Sequence, residues 1–178
     1  MKRVILIILD GVGIGEAEDA SLFGDKGSNT LFHIIEEIPN LNLPNLKKLG
    51  LFNKKEMNVL TEAGPNKDTL SGLMEFMGTV APKFKIFSNR IDGEIVRKFE
   101  IAIGRKTLGG TAASGTEIIK ELGSRHIKTG CPIIYTSRDS VFQIACHEEK
   151  IPLSQLYYFC SIARALLIGE NTVGRVIA

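Results

Sequence analysis

The run Val4-Ile5-Leu6-Ile7-Ile8-Leu9, followed directly by Asp10-Gly11, is the stretch that decides the expected fold. Six consecutive apolar residues, several of them β-branched, predict a strand that is buried on both faces of a sheet. Asp10 then stands at the carboxyl end of that strand, where open α/β sheets bind their ligands. Because no cation follows it closely, its carboxylate is a candidate metal ligand or catalytic group. Asp before Gly is also a common turn pair, so a plain turn residue is the alternative.

The composition is that of an ordinary globular protein, and it narrows the functional classes. The chain has 178 residues, of which 44% are hydrophobic and 24% charged, and a formal net charge of +2. So small a charge removes the usual electrostatic argument for nucleic-acid binding. The apolar start is too short to cross a membrane and lacks the cleavage site of a signal peptide. The three cysteines fit neither a zinc motif nor a disulfide framework, so we expect reduced thiols in a cytoplasmic protein.

Apolar patterning beyond the first run predicts alternating helices and strands, and therefore an α/β fold. The predicted helices begin after Ser28, at Pro44, at Glu94, after Ser114 and at Pro152. The further predicted strands are 57–61, 132–136, 141–145 and 173–177. The irregular stretch 80–89, with a proline and mixed charge, predicts a boundary between a partial core domain, 1–83, and a smaller α/β cap domain, 84–178. The last strand stops at Ala178, so we expect a truncated cap and an incomplete chain.

A glycine-rich loop after the first run invites comparison with dinucleotide-binding loops. Its glycines are Gly11, Gly13 and Gly15, but the dinucleotide fingerprint needs a further glycine where this chain has Glu16. A carboxylate at that position would repel a pyrophosphate. The pattern therefore argues against a dinucleotide site.

Four further motifs each have a functional and a structural interpretation. Thr69, in Lys67-Asp68-Thr69, carries a hydroxyl that becomes a nucleophile beside a base or a metal, and an ordinary polar turn is the alternative. The helix start Ser114-Gly115-Thr116-Glu117 offers backbone N–H groups that suit a phosphate, or is a simple cap. Arg175 can hold a phosphate by two parallel hydrogen bonds, or form a surface ion pair. His147-Glu148-Glu149 would alternate between the faces of a strand, which favours a structural role.

Six blocks, in order and over essentially the whole chain, together resemble the phosphopentomutase family of the alkaline-phosphatase superfamily. The blocks are Asp10-Gly11-Val12-Gly13-Ile14-Gly15, Phe23-Gly24-Asp25-x-Gly27-Ser28-Asn29-Thr30, Lys67-Asp68-Thr69, Ala113-Ser114-Gly115-Thr116-Glu117-Ile118, Tyr135-Thr136-Ser137-x-Asp139-Ser140-Val141 and Val173-Gly174-Arg175-Val176-Ile177-Ala178. Several of them are long enough to be specific to that family.

The resemblance implies an incomplete alkaline-phosphatase-like core sheet with a cap domain, and an isomerase that interconverts ribose or deoxyribose 1-phosphate and 5-phosphate. It implies two Mn²⁺ ions and a phosphothreonine that a sugar bisphosphate primes. At the matching positions, Asp10 is a manganese ligand, and Thr69 is the phosphothreonine and a further metal contact. Asp139 and Arg175 match residues that face the sugar and its distal phosphate, and Ser137 lies beside them.

Two departures from the family pattern limit what this chain can do alone. The family usually continues after the threonine with overlapping Thr-x-Thr-Gly-His-Trp-Glu, whereas this chain has Thr69-Leu70-Ser71-Gly72-Leu73-Met74-Glu75 and so lacks the His-Trp pair. Family members are also about twice as long, and their remaining Asp and His manganese ligands lie in a C-terminal half that is absent here. One carboxylate and one threonine cannot hold two divalent ions. We therefore expect no mutase activity and weak manganese binding from the chain alone.

Three interpretations of function follow. The first is an incomplete phosphopentomutase whose small-molecule partner is a sugar phosphate, with self-association or a complementing C-terminal fragment as further partners, and no nucleic acid or membrane. The second is a non-catalytic sugar-phosphate-binding or interaction remnant of that family. The third, cofactor-independent phosphoglycerate mutase, shares an acid at the end of the first strand, but its nucleophile is a serine and the cap blocks do not fit it.

Overall fold

The computed structural model describes residues 2–9, 11–51, 60–137 and 139–178. The chain divides into two compact units, Met1–Ala63 and Gly64–Ala178. Within the described residues, six α-helices and a four-stranded mixed sheet confirm the α/β class. No helix in the described ranges is long and apolar enough to cross a membrane. The domain boundary predicted from the sequence, between residues 83 and 84, stays a prediction.

The first unit contains short helices. A 3-10 turn, Ala20–Phe23, precedes helices α1, Thr30–Glu37, and α2, Pro44–Lys48. Asn29 supports the loop before α1, because its side-chain Oδ1 accepts a hydrogen bond of 3.0 Å from the Gly15 N–H. The predicted helices in this region are therefore confirmed.

The prediction of a buried strand over Val4–Leu9 is wrong for this structure. These residues have no regular secondary structure. They are exposed, Val4 to 94% and Leu9 to 45%. A strand is stable only when its N–H and C=O groups pair with a neighbour, and every strand among the described residues lies in the second unit. The predicted strand 57–61 lies mostly outside the described residues, and Leu60 and Thr61 have no regular structure.

The second unit begins with helix α3, Thr69–Phe76, and continues with helix α4, Gly93–Ile103. The remaining elements are strand β1, Leu108–Ala112, helix α5, Gly115–Thr129, strand β2, Ile133–Thr136, strand β3, Val141–Ala145, helix α6, Leu153–Leu166, a 3-10 turn, Gly169–Asn171, and strand β4, Arg175–Ile177. The sheet order is β1-β2-β3-β4. β1 is parallel to β2, β2 is antiparallel to β3, and β3 is parallel to β4.

Helices cover both faces of this sheet. On one face α4 and α6 pack against β2 and β3, and the Phe99 and Phe142 rings meet edge to face with centroids 5.3 Å apart. On the other face α5 packs against β1 and β2 through Ile118, Leu108 and Ile133. Near-continuous apolar residues in β2 and β3 follow from this burial on both sides.

Strand β1 was not predicted from the sequence, and its glycines explain why. The pairing of β1 with β2 shifts register between Gly109 and Thr111, which makes a bulge. Gly109 has φ +83°, and a Cβ there would stand 2.6 Å from the Ile134 carbonyl oxygen. Glycine permits both the positive φ and the close approach, but it weakens the strand pattern in the sequence.

Candidate functional site

Thr69 is the first residue of α3, and its side chain is exposed. The residue before it, Asp68, is the N-cap: its Oδ1 accepts a hydrogen bond of 2.9 Å from the Ser71 N–H. Its Oδ2 accepts a second one, of 3.2 Å, from the Ser71 hydroxyl. Ser71 is buried, so this cap is anchored in the unit. Asp68 thereby fixes where the helix begins and holds Thr69 on its first turn.

The position of Thr69 suits a residue that carries a phosphate. Among the described residues no side chain or backbone group hydrogen bonds to its hydroxyl, which is therefore open to a reactant. The first turn of a helix exposes N–H groups that lack intrahelical partners, and the helix dipole favours negative charge there. A phosphoryl group on Thr69 would lie in this favourable field.

A second group of predicted residues lies at one edge of the sheet. The carboxyl ends of β1 and β2 and the amino ends of β3 and β4 meet there, because β2 and β3 are antiparallel and Val141 pairs with Arg175. The Ser137 hydroxyl donates to Oδ1 of Asp139 over 3.1 Å. Nη2 of Arg175 lies 3.5 Å from Oδ2 of the same carboxylate. The structure thus brings Ser137, Asp139 and Arg175 together in one cluster.

Backbone contacts hold this cluster in place. The Ser140 hydroxyl accepts from the Gly174 N–H over 2.7 Å, and the Ser140 carbonyl accepts from the Arg175 N–H over 3.2 Å. Ser140 is buried, whereas the Arg175 side chain is 47% exposed and the Asp139 side chain 38%. A half-exposed ion pair of this kind contributes little to stability. The Arg175 guanidinium therefore remains accessible, and its planar fork has donors to spare for two oxygens of an anion such as phosphate.

Sequence reasoning missed Gln143 as part of this cluster. Its Nε2 donates to the Ser137 hydroxyl over 3.2 Å, which orients that hydroxyl toward Asp139. Gln143 is the one polar residue in the strand Val141–Ala145. A single polar residue in an otherwise apolar strand was the available signal.

The start of α5 adds backbone donors at the carboxyl end of β1. Its N-cap, Ser114, makes no side-chain capping bond, and a Cβ on Gly115 would stand 2.8 Å from the Tyr135 hydroxyl. Burial raises the pKa of Tyr135, so its hydroxyl stays protonated. The helix start and this hydroxyl therefore lie against each other. Ser114 stands at the N-cap position without capping the helix through its hydroxyl, and its phosphate interpretation stays a prediction.

Comparisons with known proteins identify homologues of the chain. No family model matches the chain. Curated proteins named phosphopentomutase match all of it: that of Carboxydothermus hydrogenoformans at 52% identity, that of Dictyoglomus turgidum at 51% and that of Caldanaerobacter subterraneus subsp. tengcongensis at 50%. The chain is a homologue of these phosphopentomutases. It spans about half the length of these relatives, 50%, 49% and 49% respectively.

The alignment with these phosphopentomutases also has gaps. It runs over 192 residues, whereas the chain has 178, so the relatives carry at least 14 residues within the matched part that have no counterpart here. This chain is thus a shortened version of that part. The roles that the resemblance implies for Thr69, Ser137, Asp139 and Arg175 stay predictions.

The described residues do not by themselves fit the metal centre that the phosphopentomutase family implies. Asp10, the predicted manganese ligand, lies outside the described residues. Among those described, no three His, Cys, Asp or Glu side chains group as metal ligands would. Asp68, beside Thr69, is engaged with Ser71 as a helix cap. No step through a metal ion follows from this arrangement.

The histidines of the second unit serve its structure. His126 is buried, its Nδ1 lies 2.7 Å from the Cys131 carbonyl oxygen, and its Nε2 accepts from the His147 N–H over 2.8 Å. The carbonyl requires a proton on Nδ1 and the N–H requires a lone pair on Nε2, so both ring nitrogens are engaged. Nδ1 of His147 accepts from the Glu149 N–H. These bonds agree with the structural role expected for His147-Glu148-Glu149.

Proposed function

We propose that this chain is part of a phosphopentomutase and supplies the phosphate-carrying threonine and the sugar-phosphate cap of that enzyme. The observation that carries the proposal is the cluster of Ser137, Asp139 and Arg175 at one sheet edge, together with about 50% identity to phosphopentomutases along the whole chain. The reaction is the interconversion of ribose or deoxyribose 1-phosphate and 5-phosphate.

Each residue of the proposal has a separate task. Thr69 carries the phosphoryl group that is exchanged with the sugar, and the N-terminus of α3 favours its charge. Ser137 and Asp139 face the sugar hydroxyls, with a donor and an acceptor already oriented toward each other. Arg175 holds the phosphate that does not react, because a planar guanidinium grips it by two parallel hydrogen bonds. The cap thereby orients the substrate.

Two Mn²⁺ ions, with Asp10 and Thr69 among their ligands, and a sugar bisphosphate primer belong to the proposal through family resemblance. The described residues lack the further ligands that two such ions need. We therefore expect that the chain alone does not turn over substrate. The check is a mutase assay with Mn²⁺ and ribose 1,5-bisphosphate, in which turnover well above background would contradict this expectation.

A complementing C-terminal half is the proposed macromolecular partner, and self-association is its competitor. Large apolar side chains are exposed in both units: the run Val4–Leu9 in the first, and in the second Leu73 and Phe76 on α3 with Met77 directly after it. Contiguous exposed apolar surface favours association. We expect the separately expressed C-terminal half of a related phosphopentomutase to bind this chain in size-exclusion chromatography. A stable homodimer that ignores the added half would favour self-association.

The experiment that tests the proposed substrate class is a titration of the chain with ribose 5-phosphate, followed by amide chemical shifts. We expect the largest shifts at Ser137, Asp139 and Arg175. Arg175→Lys keeps the charge but loses the planar fork, so its Kd should rise about tenfold. The matched control is Arg97→Lys, on α4. Shifts confined to other parts of the chain, or equal binding by both variants, would contradict the proposal.

The second candidate function is a non-catalytic sugar-phosphate-binding remnant. It is favoured because the described residues include the cluster of Ser137, Asp139 and Arg175 but no group of metal ligands. Reading the gene beyond the codon for Ala178 separates the two: a downstream frame rich in Asp and His favours the enzyme. For either function we propose the cytoplasm, which suits the free thiols of Cys131, Cys146 and Cys160.

A further inference from the structure

Asn66 is a buried polar residue that neither the family motifs nor the proposed chemistry uses. Its side chain is 8% exposed. Its Nδ2 donates to the Pro82 carbonyl oxygen, and its Oδ1 accepts from the Phe84 N–H, each over 2.8 Å. Asn66 therefore joins the loop before α3 to the segment after it, 16 and 18 residues further along the chain.

The loop that Asn66 anchors also leads directly into Thr69. At its start, the Gly64 N–H donates to Oε1 of Glu75, on α3, over 2.7 Å. At its end, Asp68 caps the same helix through Ser71. Asn66 lies between these two attachments and supplies the bonds to Pro82 and Phe84. The five residues before Thr69 are thus fastened at three points.

The same bonds connect Thr69 to the residues around Arg175. Phe84, whose backbone N–H donates to Asn66, packs its ring on Gly174. A Cβ on Gly174 would stand 3.2 Å from two carbons of that ring. Gly174 precedes Arg175 and is itself bonded to the Ser140 hydroxyl. One residue along from Phe84, the Lys85 N–H donates to the Thr172 carbonyl oxygen over 2.7 Å. A continuous series of contacts therefore runs from the loop before Thr69, through Asn66 and Phe84, to Gly174, the residue directly before Arg175.

We propose that Asn66 is a positioning residue that holds the phosphate-carrying Thr69 in register with the phosphate-binding Arg175. This inference rests on the proposed roles of those two residues. Asn66 does not touch the substrate; it acts through Phe84 and Gly174. A short side chain that donates to one carbonyl and accepts from one N–H is what this site needs, and asparagine supplies both groups.

Amide hydrogen exchange of the full chain tests the proposal. In Asn66→Ala, the Phe84 N–H is left buried without its acceptor, so its exchange should accelerate about tenfold or more. If Asn66 positions the Thr69 loop, the Ser71 N–H should accelerate about tenfold as well. The strand amides of Ile134 and Ile144 should keep their rates. Asn45→Ala, at an exposed asparagine on α2, is the matched control and should change none of these rates.

Binding of ribose 5-phosphate adds a measurement that a purely structural role would not change. The variant should bind it with a Kd within about threefold of the original chain, because Arg175 is intact. In the original chain the bound ligand should slow exchange at Ser71, and in Asn66→Ala this slowing should be lost. If neither chain binds ribose 5-phosphate, the proposed function fails, while exchange without ligand still decides the role of Asn66.

Three outcomes would overturn the inference. An unchanged Ser71 rate in Asn66→Ala would confine the effect to Phe84. Acceleration of Ile134 and Ile144 to the same degree would make Asn66 a general stabiliser of the unit. If Asn66→Ala does not fold, Asn66→Asp replaces it, because it keeps the acceptor for Phe84 and loses the donor to Pro82. That variant should give an intermediate Ser71 rate, and a rate equal to that of the original chain would overturn the inference.

Discussion

The runs Val4–Leu9 and Val141–Ala145 are both largely apolar, yet only the second forms a strand. β3 pairs with β2 on one side and β4 on the other, and α4 and α6 pack on one of its faces. The first run lies exposed, without regular secondary structure. Apolar sequence therefore marks a segment that is able to become a strand. Whether it does depends on neighbours that pair with its backbone and cover its side chains.

The difference between the two runs is tested most strongly by truncating one large apolar residue in each. Phe142 is fully buried against Phe99, so Phe142→Ala should lower the free energy of unfolding by about 3–5 kcal/mol. Ile7 is 76% exposed, so Ile7→Ala should change it by less than about 0.5 kcal/mol. The measurement is urea unfolding followed by tyrosine fluorescence, which reports only the second unit because all three tyrosines lie there.

The result for Ile7 tests whether the first run contributes to the stability of the second unit. A loss above about 1 kcal/mol in Ile7→Ala would mean that the amino-terminal run packs on the second unit in solution. An unchanged stability in Phe142→Ala would mean that the sheet core is not assembled as described. Either result would remove the difference between the two runs.

A glycine substitution at the bulge tests how closely β1 must approach β2. Gly109→Ala should lower the free energy of unfolding by about 2–4 kcal/mol, because a Cβ there meets the Ile134 carbonyl at φ +83°. Gly78 is the matched control: it has φ +82° but nothing within 4 Å of the Cβ position. Gly78→Ala should cost only about 1 kcal/mol. Equal losses in thermal or urea unfolding would contradict a role for the close approach.

The sequence predicted those elements of the fold whose local pattern and tertiary surroundings agree. The strands 132–136 and 141–145 and the helix α4 are of this kind, since apolar spacing and end signals coincide with burial. β1 was not predicted because Gly109 and Gly110 have no side chains and so interrupt the apolar pattern of a strand. α3 was not predicted: the residues up to Thr69 have the composition of a polar turn, and only the cap of Asp68 on Ser71 shows that a helix starts there.

The candidate site divides in the same way. Ser137, Asp139 and Arg175 were found through motif blocks, and the structure brings them together. Gln143 and Asn66 were missed, because their partners lie 6 residues away in one case and 16 to 18 in the other. Contacts at such separations depend on how the chain folds back on itself. The one polar position in Val141–Ala145 marked Gln143 as unusual, but no local pattern named the partner of either residue.

The smallest effect concerns a charge that fastens α4 to the segment before β1. Burial alone would raise the pKa of Glu100, but hydrogen bonds from Lys106 and from both the N–H and the hydroxyl of Thr107 outweigh it, so the pKa lies below the ordinary value of 4.5. A carboxyl with a lowered pKa stabilises the fold above its ordinary pKa, and this contribution is lost as the pH falls through the lowered value.

Glu100→Gln should therefore be less stable at pH 7 by about 1 kcal/mol, with the difference vanishing in acid. The measurement is urea unfolding at a series of pH values. Glu94→Gln, which removes an exposed pair with Lys98 on the same helix, is the control and should leave the stability unchanged. A difference for Glu100→Gln that persists below the lowered pKa would mean that shape, and not charge, makes this contact matter.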